Sequence, residues 1–418
     1  MKKRILLFIS LISSLTAMAN SGDSTTVVNK ILNPVEGLKI SGYIQTQWQL
    51  AQTEGQLGVT DSYDFPTYSD NTFSIRRARL KFDYEYKNFS AMVQFDVGQS
   101  KVGFKDAYVA YTSNDKVFST KMGVFALPFG NEIGYSSSKR EAPERSRMYL
   151  TLFPDMRDLG VEVALTGKQN TFFDKFNLNL AIGNGNSTKV ETDSRKNFVG
   201  HLTYKEKIGR FDLGLGTSFY LGGVLNTNNS NMVFNPTTMV YDEYTDVRGT
   251  YSPRTYYGFD AQLSANWGWG TSTLKGEYIG GTQQGTKIDS ESLTELSQYS
   301  LYERKFNAAS VYYIQSFAKS PISLSARFDY YDPNRDINST ELNSLSSVTD
   351  LGDIAFTSVG GGVIYQINKA FRLMLFYEKV WNETAAHIVS YDPENNVNYD
   401  YSVDAKDNLL TIRAQIKF

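Results

Sequence analysis

The sequence predicts an all-β protein whose strands form a transmembrane antiparallel β-barrel of about sixteen strands. Three features indicate this fold. Apolar and polar residues alternate in many segments, as expected when one strand face meets lipid and the other the barrel lumen. Long connections alternate with short ones along the chain. An export signal at the N-terminus is followed by no apolar run near the roughly 18 residues that a membrane-spanning helix needs.

The N-terminal segment has the three parts of a signal peptide. Three basic residues are followed by an apolar run at 5–15, and Ala-Met-Ala at 17–19 fits the small-x-small rule for cleavage. An N-terminal membrane anchor is the alternative, but the run is short and a cleavage site follows it. We therefore expect a signal peptide at 1–19, a short periplasmic extension at 20–37 and the barrel at 38–418.

Alternation defines the individual strands. Residues 72–86 place Leu80 and Phe82 on one face and Arg79 and Lys81 on the other. One such strand would also suit a soluble sandwich, so the number of strands matters. The predicted strands cover 38–51, 72–86, 90–98, 104–112, 118–125, 159–167, 176–184, 197–206, 211–221, 255–267, 269–281, 305–317, 320–331, 356–367, 371–382 and 408–418.

The connections separate a barrel from a sandwich. Every predicted odd-numbered strand except one is followed by a long connection, and 99–103 is the short exception. Outer-membrane barrels combine short periplasmic turns with long external loops, whereas a sandwich would not place nearly all its long loops at one end. In lipid every backbone group needs a partner, so the first strand must pair with the last. A barrel of this size leaves an aqueous channel.

Phe418 ends a row of apolar side chains on the last strand. The row also contains Leu410, Ile412, Ala414 and Ile416. A terminal aromatic residue on the lipid face is the usual assembly signal of outer-membrane barrels. With the export signal and the loop pattern, it predicts an integral protein of a Gram-negative outer membrane.

The composition argues against an enzyme. The chain has no cysteine and only two histidines, His201 and His387, and its formal net charge is −2. We find no metalloprotease, nucleophile-elbow, phosphate-loop or calcium-loop motif. We therefore expect no catalytic residues, no metal, no cofactor and no nucleic-acid partner.

Six segments carry a resemblance to a known family. They are IRRARLKFDYEY at 75–86, KDAYVAYT at 105–112, GVFALPFGNEIGYSSSK at 123–139, ERSRMYL at 144–150, MRDLGVEVALTG at 156–167 and LLTIRAQIKF at 409–418. In these segments the chain resembles the phosphate-selective porin O and P family. The resemblance implies a sixteen-stranded barrel, typically a homotrimer, with inward-folded loops and a basic pore lining for phosphate or other small anions.

The first candidate for the pore lining is a basic ladder. Arg77, Arg79 and Lys81 share the lumen face of one strand, with about 6.5–7 Å between neighbours. Such a ladder could pass an anion from site to site. Alternatively, these groups pair with lumen acids such as Asp83 and Asp96 and only stiffen the wall.

The second candidate is the connection 126–158, which the resemblance implies to be the constriction loop. Its five basic residues are matched by five acidic ones, a balance that suits a general porin as well as an anion filter. The basic residues are Lys139, Arg140, Arg145, Arg147 and Arg157. Further inward-facing basic candidates are Arg327, Arg372, Arg413 and Lys417.

These observations favour a passive channel for small solutes, with anions such as phosphate as the expected class. A general or weakly selective porin is the first alternative. The second is a plugged barrel that acts as a surface adhesin or anchor, because polar external loops such as 226–231 and 333–350 are long. The expected partners are outer-membrane lipid, small solutes and copies of the chain in a homotrimer.

Overall fold

The computed structural model describes residues 36–56, 58–59, 64–98, 102–286, 302–342, 349–385, 389–392 and 397–418. The expected signal peptide, most of the expected extension and His387 lie outside these residues. Within them, no helix is long and apolar enough to cross a bilayer.

Twenty strands lie in the described residues, and four of them form two hairpins within connections. The strands are β1 (Leu38–Ala51), β2 (Asn71–Tyr86), β3 (Phe89–Val97), β4 (Val102–Thr112), β5 (Phe118–Ala126), β6 (Arg157–Thr166), β7 (Phe176–Gly183), β8 (Asn197–Ile208), β9 (Phe211–Leu225), β10 (Ser230–Asn235), β11 (Val240–Thr245), β12 (Tyr251–Asn266), β13 (Gly270–Gly285), β14 (Tyr302–Phe317), β15 (Ile322–Asp332), β16 (Phe356–Gln366), β17 (Phe371–Asn382), β18 (Val389–Asp392), β19 (Val397–Asp400) and β20 (Leu409–Lys417).

The remaining sixteen described strands form one closed antiparallel barrel, which confirms the predicted fold class. The first strand closes it, because β1 pairs with β2 on one side and β20 on the other. Trp48, for example, lies opposite Phe73 and Ile412. The hairpin β10–β11 extends the sheet above the barrel, where Met232 pairs in parallel with Tyr302 on β14.

The alternation separates an apolar outer face from a polar inner one. On β12, Phe259 is 56% exposed on the outer face, whereas its neighbour Asp260 is 7% exposed on the inner face. Ile412 and Ile416 are likewise exposed on β20, and Arg413 between them is buried. The outer row is the surface that lipid covers.

The largest buried core lies inside the barrel rather than between sheets. It forms around residues 127–156, the connection between β5 and β6, which we call the inner loop. This loop contains helix α1 (Arg147–Leu152), which the alternation pattern does not predict. Apolar side chains of the loop pack on the inner wall of β7–β15; the loop supplies Phe129, Met148, Leu152 and Phe153, and the wall supplies Val199, Tyr220, Tyr256, Phe306 and Tyr331. The apolar side of the loop therefore fills one half of the lumen.

Candidate pore lining and the inner loop

The inner loop enters the lumen through a tight turn at Gly130. Gly130 has a φ of +57°, in the region where glycine is favoured over other residues. Its N–H donates to the Ser218 hydroxyl of β9 at 2.9 Å, and the next N–H, of Asn131, donates to the Glu277 carboxylate of β13 at 3.0 Å. These bonds hold the start of the loop against the wall opposite β1–β5.

Three wall arginines hold the middle of the inner loop through its backbone. Arg327 on β15 donates to the Glu144 carbonyl at 3.0 Å, and Arg372 on β17 donates to the Ser138 carbonyl at 3.2 Å. Arg413 on β20 donates to the Pro143 carbonyl. Arg327 and Arg413 thus face inward as expected, but their guanidinium groups hold the loop instead of lining open space.

Glu144 is the electrostatic centre of this contact. Its carboxylate forms ion pairs with Arg76 at 2.8 Å, Arg77 at 2.6 Å and Arg413 at 2.7 Å. Burial alone would raise the pKa of Glu144, but these guanidinium groups hold that pKa well below its usual value. A buried carboxylate with several cationic hydrogen-bond donors is a strong anchor, because each charge-assisted bond is stronger than a neutral one.

The other basic residues of the inner loop have different surroundings. Arg145 is buried and donates to the Glu132 carbonyl at 2.9 Å and the Ile133 carbonyl at 3.0 Å, which stabilises a turn of the loop itself. The guanidinium of Arg147 lies over the Phe356 ring, 3.8 Å from its centroid. Lys139 is exposed, and Arg140 is buried.

A large cavity lies on the side of the lumen that the loop leaves free. It measures about 550 Å³ and is bordered by β1–β6 and the polar side of the inner loop. Seven basic residues line it among those the structure describes, and Asp106 is the acidic one beside them. The basic residues are Lys39, Arg79, Lys81, Lys121, Arg145, Arg157 and Lys417.

Several of these cations have carboxylate partners on the wall. Arg79 pairs with Asp96 at 2.7 Å and Lys81 with Asp83 at 2.8 Å. The further pairs are Lys121 with Glu162 at 3.0 Å and Arg157 with Asp106 at 3.2 Å. Arg79 and Lys81 therefore combine both alternatives for the ladder, since they pair with acids and also border the cavity. Among the described residues, the seven cations still outnumber these four carboxylates.

The opposite side of the inner loop carries charges of both signs. Glu132 accepts a hydrogen bond from Tyr312 at 2.8 Å, and Glu277 accepts one from Tyr149. Asp260 on β12 lies 2.9 Å from the ring nitrogen of His201. Cations lie on the same strands, because Arg254 and Arg304 are buried on the inner face and Lys275 pairs with Glu141 of the loop. The lumen therefore has a basic side at β1–β6 and a side of mixed charge at β12–β14.

Of the twelve basic residues expected at the pore, the structure brings five to the cavity: Arg79, Lys81, Arg145, Arg157 and Lys417. Arg77, Arg327 and Arg413 contact the inner loop instead. Sequence reasoning missed Lys39 and Lys121, although both alternate with apolar outer residues on their strands. It also missed Arg76, for which strict alternation predicts the lipid face.

Comparisons with solved structures agree on the fold. OmpT of Vibrio cholerae, in a structure described as its trimer form, has a TM-score of 0.52 at 12% identity, with 91% of this chain and 99% of that chain covered. OprB of Pseudomonas putida has a TM-score of 0.58 at 9% identity, with 95% and 96% covered. An anion-selective porin from Comamonas acidovorans has a TM-score of 0.52 at 11% identity, with 91% and 99% covered.

Sequence comparisons give the family. No curated protein sequence matches the chain. The profile described as phosphate-selective porin O and P matches residues 51–418, which is most of the chain and nearly all of the barrel. The chain therefore belongs to the phosphate-selective porin O and P family and is a β-barrel channel protein of the outer membrane.

Proposed function

We propose that this porin conducts small anions in preference to cations, and that they pass through the cavity between β1–β6 and the inner loop. The observation that carries the proposal is the excess of cations over carboxylates around that cavity among the described residues. Charges that line a pore set its selectivity, and the inner loop, by filling the other half of the lumen, directs solutes past them. In this proposal the inner loop is the constriction.

The chemistry of the lining suits phosphate and small carboxylates. Lys39, Lys81 and Lys121 present ammonium groups at the cavity, and lysine binds such anions as a mobile point charge. The ion pairs with Asp83 and Glu162 weaken each cation, so we expect sites that release an anion readily. The family description and the anion-selective porin from Comamonas acidovorans support the same solute class.

A weakly selective porin is the second candidate, and the carboxylates on the other side of the inner loop favour it. Glu132, Glu277 and Asp260 face the basic side across the inner loop. A transverse field between the two sides would orient polar solutes of either charge. The two candidates differ in the sign and size of the reversal potential.

The test is a planar-bilayer recording of the purified protein in a gradient of potassium chloride. Anion conduction predicts a reversal potential of the sign set by chloride, and phosphate added to the dilute side should reduce the chloride current by competition. A reversal potential of the opposite sign would overturn the anion proposal. A protein that inserts without conductance would support a plugged adhesin or anchor instead.

We also propose that the porin is a homotrimer whose subunits contact one another through β3–β7. These strands contain 8 to 11 residues, whereas β12–β14 contain 16 each. About 9–11 residues suffice to cross the bilayer, so strands β3–β7 extend little beyond the membrane. Their outer face is apolar, with Phe104, Val109 and Met122 each more than 60% exposed.

Thiol labelling in detergent tests the assembly. We expect a trimer by native electrophoresis, and we expect a bulky charged thiol label on a cysteine introduced at Met122 to dissociate the trimer while the same label at Phe259 on β12 leaves it intact. A chain that remains monomeric at all detergent concentrations would overturn the trimer, and dissociation by the label at Phe259 alone would place the contact at β12.

A further inference from the structure

Arg140 on the inner loop is a buried cation whose guanidinium makes no hydrogen bond to the described residues. Its side chain is 3% exposed, and its three guanidinium nitrogens have no hydrogen-bond partner among the described residues. The carboxylate of Glu144 lies 3.8 Å away. Burial and repulsion from Arg77 lower the pKa of Arg140 to about 10. A buried guanidinium that makes no hydrogen bond is unfavourable, because arginine has five N–H donors to satisfy.

The neighbouring acid cannot neutralise this cation. Glu144 already accepts ion pairs from Arg76, Arg77 and Arg413, so one negative charge faces four positive ones. Arg372 adds another cation beside Arg140. Its two terminal nitrogens donate to the Ser138 and Arg140 carbonyls, and its Nε has no partner among the described residues. The contact between loop and wall therefore carries an excess of buried positive charge, which a nearby anion would stabilise.

A small cavity lies where these cations meet. Its volume is about 10 Å³, which is the space of a single water-sized group. Its lining combines guanidinium groups and polar side chains with two apolar residues: Gln45, Ser137, Arg140, Ala142, Arg372, Met374, Arg413 and Gln415. Phosphate and carboxylate anions are much too large for it. Chloride is only somewhat larger than water and needs no directed acceptor geometry, so it fits if the flexible guanidinium groups of the lining move slightly apart.

We propose that this cavity binds one chloride-sized anion, held by the guanidinium groups of Arg140 and Arg372, which fastens the inner loop to β17 and β20. This anion has a structural role. Its site lies between the loop and the wall, whereas the transported solutes pass through the 550 Å³ cavity on the other side of the loop. The inference is therefore independent of the proposed solute.

The arrangement also shows why Arg140 serves an anion and not another carboxylate of the chain. Arg140 borders a second cavity, of about 80 Å³, where Glu132 and Glu141 lie. Glu141 pairs with Lys275 at 3.1 Å and accepts from Tyr135 at 2.7 Å. Glu132 accepts from Ser146 and Tyr312. Both carboxylates are thus occupied, and they repel an anion from that side.

Anomalous diffraction tests the site directly. Crystals of the full barrel, grown in sodium bromide, should show a bromide peak between Arg140 and Arg372. The peak should disappear in Arg140→Gln and remain in Lys139→Gln, because Lys139 is the adjacent but exposed basic residue. A map of the wild-type protein with no peak there, or with Arg140 paired to Glu132 or Glu141, would overturn the proposal.

Thermal unfolding gives a second readout that does not depend on crystals. In chloride the wild-type midpoint should lie above that in gluconate at the same ionic strength, and the rise should saturate with chloride concentration. Arg140→Gln should abolish the difference, whereas Lys139→Gln should keep it. A rise that is non-saturating and equal in all three proteins would reflect general salt screening and would overturn the site. Neither result depends on which ion the pore prefers.

Discussion

Arg76 and Arg77 are consecutive residues of β2, yet both guanidinium groups contact the carboxylate of Glu144. In a regular strand their side chains would point to opposite faces. A β-bulge removes this restriction, because Arg77 lies opposite Gln45 while Ile75 lies opposite Thr46, which leaves Arg76 as the extra residue. The bulge thus gives the inner loop two adjacent cations from one strand.

Glu144→Gln should release the inner loop. The substitution keeps the shape of the side chain but leaves Arg76, Arg77 and Arg413 without their carboxylate. Breaking a buried ion pair by removing one partner costs roughly 3–5 kcal/mol, and we expect a loss of that size in the free energy of unfolding. Urea unfolding followed by circular dichroism measures it. Glu191→Gln is the control, since Glu191 forms its ion pair with a half-exposed lysine, Lys196, in a connection at the surface.

Conductance gives an independent measure of the same substitution. A loosened inner loop should increase single-channel conductance and open-channel noise, because the loop fills half of the lumen. Unchanged conductance together with unchanged stability in Glu144→Gln would show that Glu144 does not anchor the loop.

Gly130→Ala should also disturb the inner loop, by a steric route. The φ of +57° disfavours alanine by about 1 kcal/mol. A Cβ there would also overlap the Tyr149 hydroxyl and lie 2.6 Å from a Glu277 carboxylate oxygen. We expect a lower unfolding midpoint and altered conductance. Gly134→Ala is the matched control in the same loop, because a Cβ at Gly134 meets no atom within 4 Å. Equal effects of both substitutions would contradict this explanation.

The barrel strands are predictable from the sequence because lipid imposes strict alternation on them. Tyr257 and Phe259 face outward and Gly258 between them faces inward, so apolar residues recur at every second position of the strand. The ends of the strands shift by a few residues because hydrogen bonding continues past the lipid. β12, for example, begins at Tyr251 where alternation predicts a start at residue 255.

The inner loop is less predictable, because its conformation depends on a surface that the fold creates. No period in the sequence would place Phe153 against Tyr220 and Tyr256 of the wall, or Phe129 against Phe153. The same holds for the arginines. The alternation of inward and outward side chains along a strand predicts that Arg413 faces inward. It does not predict whether the guanidinium contacts water or the carbonyl of Pro143.

Lys121→Gln should weaken the anion preference of the pore. Lys121 lines the large cavity, and its loss leaves the carboxylate of Glu162, 3.0 Å away, without its cation. A unit charge at 4 Å contributes about 1 kcal/mol in water, so we expect the chloride-to-potassium permeability ratio to fall about two- to fivefold. Reversal potentials in a salt gradient measure this ratio. Lys205→Gln is the control, since Lys205 borders a separate cavity at β8 and β9. A larger effect of Lys205→Gln would place the anion path there.

The anchoring of the inner loop should resist mild acid. Because the surrounding arginines hold the pKa of Glu144 well below its ordinary value of 4.5, its contribution to stability is complete above that ordinary value and is lost only as the pH falls through the lower, folded value. The Glu144 anchor should therefore contribute no change in conductance or open-channel noise between pH 7 and about 4.5, and the change that depends on it should appear only in stronger acid.

Glu144→Gln provides the comparison for this acid response. It has no carboxylate to protonate, so it should be noisy at every pH and lack the transition in strong acid. Recordings in both proteins, at constant chloride, separate this effect from acid responses elsewhere in the channel, which would appear in both alike. A wild-type transition near the ordinary pKa of a glutamate would show that the arginines do not hold the carboxylate of Glu144 in its charged form, and the anchor would have to be assigned to the backbone bonds from Arg327 and Arg413.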